Sequence, residues 1–132
     1  MRKRICVDFD GVIAWDSGWK GGDHFGDPIP GAKEFLTKLK EKYEVIVFTC
    51  RCCEDAMRGI EKANLLANRI RDYMDKHELP YDEIYTGQGK PVASYYIDDR
   101  GVRCLPQLDN EAYDKVLEVV MADDYIPMAN SD

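Results

Sequence analysis

Apolar positions fall in two kinds of pattern along this chain. Ile5 to Phe9 and Val45 to Thr49 are short, nearly unbroken apolar runs closed by polar residues. Runs of that length, rich in β-branched side chains, predict buried strands. Glu83 to Thr86 and Ala93 to Ile97 predict a third and a fourth strand, and Val102 to Leu105 a fifth. Between them the apolar residues recur at helical spacing. Phe35, Leu36 and Leu39 predict a helix from Pro30 or Gly31 to about Tyr43. Ile60, Ala63, Leu66, Ala67, Ile70, Tyr73 and Met74 predict a longer one from Ile60 to His77, with Pro80 just beyond it. Ala112, Val116, Val119 and Val120 predict a last helix over Asn110 to Met121. The glycine- and proline-rich stretch from Gly11 to Gly31 reads as a loop or loose hairpin. Strands alternating with helices predict an α/β fold with three layers, α/β/α, and a mostly parallel sheet. Ligands of such sheets bind at the carboxyl ends of the strands.

Length and composition narrow the classes. At 132 residues, 45% of them hydrophobic, the chain has material for one core and one domain, 1–132. No apolar run approaches the ~18 residues of a membrane span, and the basic N-terminus has too short an apolar stretch behind it for a secretory leader. The five cysteines are an odd count and predict reduced thiols in a cytoplasm. Cys50-x-Cys52-Cys53 is not a usual zinc spacing. The net charge of −7 is unevenly spread. Residues 1–108 hold 18 acids and 17 bases; the expected helix and tail, 109–132, hold seven acids against Lys115. No dense basic patch emerges, so strong non-specific nucleic-acid binding is not expected. A phosphate held locally remains compatible with a nearly neutral body.

The chemistry gathers at the expected strand ends. The first strand ends in Asp8-Phe9-Asp10-Gly11, the second in Thr49-Cys50-Arg51, the fourth in Asp98-Asp99-Arg100, and Lys90 stands in the loop before the fourth. In a parallel sheet these ends share one edge, and four carboxylates there repel unless a cation offsets them. Oxygen-only donors with no nearby His favour Mg²⁺. Thr49, Lys90 and Arg51 add a hydroxyl and two cations, the complement a phosphate needs. Of two carboxylates two residues apart, one can attack phosphorus and the other act as general acid and base.

These motifs resemble those of the haloacid dehalogenase-like (HAD) superfamily of phosphohydrolases. Asp8-Phe9-Asp10-Gly11-Val12-Ile13 matches its first motif, Thr49 after Val45-Ile46-Val47-Phe48 its second, Lys90-Pro91 its third, and Ile97-Asp98-Asp99 its fourth. The likeness runs from Ile5 to about Leu105, about three-quarters of the chain. It implies a Rossmann-like HAD fold and a Mg²⁺-dependent phosphatase acting on a phosphate monoester. Asp8 would become the aspartyl-phosphate and Asp10 would be the acid/base. Asp8, the Asp10 carbonyl and one of Asp98 and Asp99 would bind Mg²⁺; which of the two stays open. Thr49 and Lys90 would hold the phosphate, with Cys50 and Arg51 beside them. The short gaps at 12–30 and before Lys90 leave a flap but no cap domain, which implies an open site for a small or a macromolecular phosphoester, with an oligomer as one way to close it.

A narrower likeness joins Arg51 and the stretch from Ile97 to Cys104 to polynucleotide 3′-phosphatase domains. A receiver-like phosphoacceptor is a rival of another class. Its phosphorylated Asp would end the third strand, where Glu83-Ile84-Tyr85-Thr86 has none. A non-catalytic domain that kept the fold is a further rival. Arg51 is balanced between a substrate contact and an ion pair with Glu54 or Asp55, and Arg100 is expected to pair with a nearby acid. Trp15 and Trp19 are expected to cover the sheet edge, with base stacking as the alternative, and His24 to be a polar loop residue.

Overall fold

A computed structural model describes residues 2–16, 24–49, 59–87 and 89–122. Its elements run β1 (Lys3–Asp8), α1 (Ala32–Lys40), β2 (Tyr43–Phe48), α2 (Gly59–Lys76), β3 (Glu83–Ile84), β4 (Tyr95–Ile97) and α3 (Ala112–Ala122). The four strands form one sheet in the order β3-β2-β1-β4. Every pairing is parallel. Among the described residues this is the small α/β fold expected, a parallel four-stranded sheet with three helices.

The two unbroken apolar runs are the two inner strands. Parallel strands covered on both faces need no polar alternation, and Ile5, Cys6 and Val7 are buried, as are Val45, Ile46 and Val47. One face carries Ile5, Val7, Val45, Val47 and Ile84 into a single core with Leu36 of α1 and Leu66, Ile70 and Met74 of α2. Ala63, Leu66, Ala67, Ile70, Tyr73 and Met74 are all buried, so the helical stripe read from the sequence is the packed face of α2.

The end of α2 is set by its backbone. Leu79 N donates to Met74 O (2.8 Å) and Glu78 N to Asp75 O (3.1 Å), the paired bonds of a Schellman motif. Glu78 takes the left-handed position with φ 56°. Asp82, at the entry to β3, fastens β2 and α1 together. Its Oδ2 accepts from Val45 N (2.7 Å), and Lys40 Nζ lies 3.1 Å from its Oδ1. Lys40 is therefore part of a tertiary link.

Three expectations change. Val102 to Leu105 forms no strand. The turn before it is closed by Asp98 Oδ1, which accepts from the amides of Arg100 (2.7 Å) and Gly101 (2.6 Å), and Pro106 follows without a donor. The segment runs past the β4 edge unpaired, with Val102 and Leu105 exposed. β3 and β4 are shorter than read, two and three residues. In α3 only Ala112 of the expected apolar face is buried, while Val119 and Val120 face solvent.

Candidate phosphoester site

The sheet order sets β1 between β2 and β4, which brings three polar strand ends together. Asp8 lies level with Phe48, so Thr49 follows one step beyond on β2. Val7 lies level with Ile97, so Asp98 comes level with Asp8 on the other side. Thr49 is a buried polar residue, 2% exposed. A cavity of about 290 Å³ opens at this edge, lined by Asp8, Phe48, Lys90, Tyr96, Ile97 and Asp98. Lys90, 82 positions after Asp8 in the chain, is thereby brought to the same cavity.

The turn after β1 is tightly specified. Phe9 N donates to Phe48 O (3.2 Å), and Phe9 O accepts from both Ile13 N and Ala14 N (2.9 Å each). Gly11 N donates to Ala14 O (2.8 Å). Gly11 has φ 86°, a conformation glycine adopts without penalty. The carboxylate of Asp99 lies directly against it: a Cβ on Gly11 would stand 2.2 Å from Asp99 Oδ2. Asp99 thus reaches back over the Asp8–Asp10 turn, while Asp98 spends one oxygen on its own turn.

The acids act on one another. Burial first, then the carboxylates of Asp99 and Asp10, push Asp8 up from 3.8 to about 7, against the opposing Phe9 amide; Asp98 adds a smaller push. Among the described residues, no group of three or more His, Cys, Asp or Glu side chains is gathered closely enough to hold a metal ion as it stands. The donor chemistry nevertheless fits a hard divalent cation: the acids around Asp8 offer oxygen only, and their mutual repulsion is what such a charge offsets.

Lys90 is aimed by an aromatic ring. Its Nζ sits 4.1 Å from the ring centroid of Tyr96, and Tyr96 Oη donates to Pro91 O. The sequence singled out Lys90 but not Tyr96, which carries no signal beyond being an aromatic residue in a strand. On the opposite flank, Phe9 belongs to a trio of rings set edge to face. Phe9 and Phe25 are 5.5 Å apart, Phe9 and Tyr73 5.2 Å, Phe25 and Tyr73 5.6 Å. Tyr73 Oη also donates to Gly26 O (2.7 Å), fastening α2 to the base of the flap. Burial first, then Asp27 and Asp10, push the Tyr73 phenol up to about 12, so it remains a donor at neutral pH.

Other residues fall elsewhere. Cys50, Arg51, Trp19, Cys52 and Cys53 lie outside the described residues. Cys6 is a buried free thiol and Cys104 an exposed one. Trp15 is 60% exposed. His24 lines a depression of the flap with Trp15 and Pro28, apart from the residues that line the Asp8 cavity. Arg100 engages Asp98 through its amide rather than its guanidinium.

Comparison with known proteins adds two solved structures. No protein-family model and no curated protein matches the chain. The chain is similar to a crystallised target protein from Vibrio cholerae, at 27% identity and a TM-score of 0.50, over 89% of this chain and 98% of that one. It is also similar to D,D-heptose 1,7-bisphosphate phosphatase from B. bronchiseptica, crystallised with magnesium and phosphate, at 20% identity and a TM-score of 0.43. That match covers 92% of this chain and 65% of the other. The first likeness, which spans nearly the whole of both chains, is one of overall fold.

Proposed function

We propose that this chain is a capless HAD-type phosphatase that hydrolyses a phosphate monoester through an aspartyl-phosphate on Asp8. One observation carries the reading: the ends of three adjacent parallel strands and the Lys90 loop converge on one cavity, with Asp8 among its lining residues.

The chemistry divides among this chain's own residues. The Asp8 carboxylate attacks phosphorus, and the bond from phosphorus to the ester oxygen breaks. Asp10 gives its proton to that departing oxygen. A water then attacks phosphorus of the acyl phosphate, its proton passes to Asp10, and inorganic phosphate leaves with the Asp8 carboxylate restored. Lys90 and Thr49 hold the phosphoryl oxygens and offset the charge that builds there. Asp8, the Asp10 carbonyl and an acid from the Asp98–Asp99 pair would hold Mg²⁺. That ion would reduce the repulsion between an anionic nucleophile and an anionic substrate. The contact of Asp99 with Gly11, and the turn that occupies Asp98, favour Asp99 as that acid.

The same reading takes the chain as a single domain with an open site. Among the described residues no helix is long and apolar enough to cross a membrane. The test is multiple turnover of p-nitrophenyl phosphate that depends on Mg²⁺. A phosphoacceptor domain would take up at most one equivalent per chain, and a non-catalytic domain none; either result overturns the proposal.

A further inference from the structure

A second cavity, about 430 Å³, adjoins the first and shares Lys90, Tyr96 and Asp98 with it. It lies between the open edge of β4 and the unpaired segment that follows Asp98. Tyr95, Val102 and Leu105 give it apolar walls, and Arg103 stands in it. Among the described residues no hydrogen bond, ion pair or ring contact engages the Arg103 guanidinium, whereas Lys90 is held against Tyr96 at the boundary between the two cavities. Asp98, the acid on this wall, has one oxygen committed to the Arg100 and Gly101 amides.

We infer that this groove receives the alcohol portion of the substrate, and that this portion carries a second anionic group, which Arg103 binds. The inference rests on the phosphatase reading for the phosphate end alone. The arguments for the rest are size, charge and adjacency. The volume lies within the range of pockets that enclose a small organic ligand, about 300–1,000 Å³. A guanidinium offers a planar fork that matches a phosphate or carboxylate through two parallel hydrogen bonds. The two cavities share Lys90, so a phosphate held by Lys90 beside Asp8 lies at the mouth of the groove. The fitting class is a phosphate monoester with a second phosphate or carboxylate on a ring-sized body. A nucleotide and a sugar bisphosphate share this chemistry.

Two readouts test it on the full chain. In the first, Arg103→Gln is assayed on adenosine 3′,5′-bisphosphate, on fructose 1,6-bisphosphate and on p-nitrophenyl phosphate. The expected result is a KM raised tenfold or more for at least one bisphosphate at unchanged kcat, with p-nitrophenyl phosphate within twofold of wild type. Which bisphosphate responds identifies the body the groove takes, and Tyr95→Ala should weaken the adenosine compound further if the ring stacks there. In the second, calorimetric binding of both bisphosphates is compared between Asp8→Asn and Asp8→Asn/Arg103→Gln, with no turnover required. A tenfold or greater loss in the double variant supports the groove even if no phosphoester is hydrolysed, in which case the phosphatase reading alone falls. If Arg103→Gln alters no KM, or alters all three substrates alike, and the calorimetric pair is equal, the groove proposal is overturned while turnover on p-nitrophenyl phosphate leaves the phosphatase reading standing.

Discussion

The α-carbon of Gly11 and the carboxylate of Asp99 occupy adjoining space, so close that a Cβ on Gly11 would fall 2.2 Å from Asp99 Oδ2. A glycine after the second acid of Asp8-Phe9-Asp10 is therefore required twice, by its φ of 86° and by its neighbour. Gly11→Ala should displace Asp99, because a carboxylate end moves more readily than backbone. The expected outcome is a loss of stability of about 1–2 kcal/mol from left-handed strain and a disproportionate loss of kcat/KM on p-nitrophenyl phosphate. Wild-type kinetics in this variant would remove Asp99 from the machinery.

Asp8 makes a prediction about pH. In protein stripped of metal by EDTA, its pKa of about 7 lies above its ordinary 3.8. The folded state then binds more protons than the unfolded state between those values, so this contribution to stability is complete below about pH 4 and is lost as pH rises through 7. Urea titrations from pH 4 to 8 should show the decline in wild type and a flatter profile in Asp8→Asn. Mg²⁺ should restore stability at pH 8 in wild type much more than in the variant. Asp8→Asn should also abolish turnover with the fold retained, and Asp10→Asn should slow it severely.

The Tyr96 ring holds Lys90 by a cation–π contact, an interaction of about 0.5–2 kcal/mol. Tyr96→Leu keeps an apolar side chain but releases the ammonium. Steady-state kinetics should give a KM for p-nitrophenyl phosphate raised roughly threefold to thirtyfold, while Tyr96→Phe stays within a few-fold of wild type. Equal effects of the two would mean that the phenol, not the ring, is what matters.

Tyr73 separates two contributions. Tyr73→Phe removes only the hydrogen bond to Gly26 O and should lower stability by about 0.5–1.5 kcal/mol. Tyr73→Ala also empties the aromatic trio and should lower it by about 3–5 kcal/mol. Denaturation midpoints would check both, and a larger effect of the Phe variant than of the Ala variant is inconsistent with the packing described.

Glu78 predicts a gain. It sits at the left-handed position of the Schellman motif, where glycine is the favoured residue. Its ion pair with Lys33, 3.0 Å long, joins two well-exposed side chains and contributes little. Glu78→Gly should raise stability by about 0.5–1 kcal/mol in urea titration.

How far the sequence was legible depended on the range of the interaction involved. β1 and β2 were plain because burial on both faces leaves an unbroken apolar run. α2 was plain because its stripe from Ala63 to Met74 obeys the helical period. α3 obeys it too, yet Val119 and Val120 remain exposed, because a period shows that a helix has an apolar side and not what meets it. Val102 to Leu105 has strand-forming residues but no ladder partner, and pairing is a property of two segments. The same division holds at the site. Asp8, Asp10, Thr49, Lys90 and the Asp98–Asp99 pair were singled out by local spacing at strand ends. Tyr96, Tyr73 and Arg103 were not, since each matters through a neighbour that only the folded topology supplies.

The bond from Tyr73 to Gly26 joins residues 47 positions apart. The base of the flap is thus seated by a side chain encoded far downstream, on a helix whose other contacts serve the core. A flap transplanted alone from a relative would arrive without its anchor. Exchange of this segment between proteins should succeed only when the rings at positions 9, 25 and 73 travel as a set, which makes the base of the flap and the buried face of α2 a single unit of inheritance.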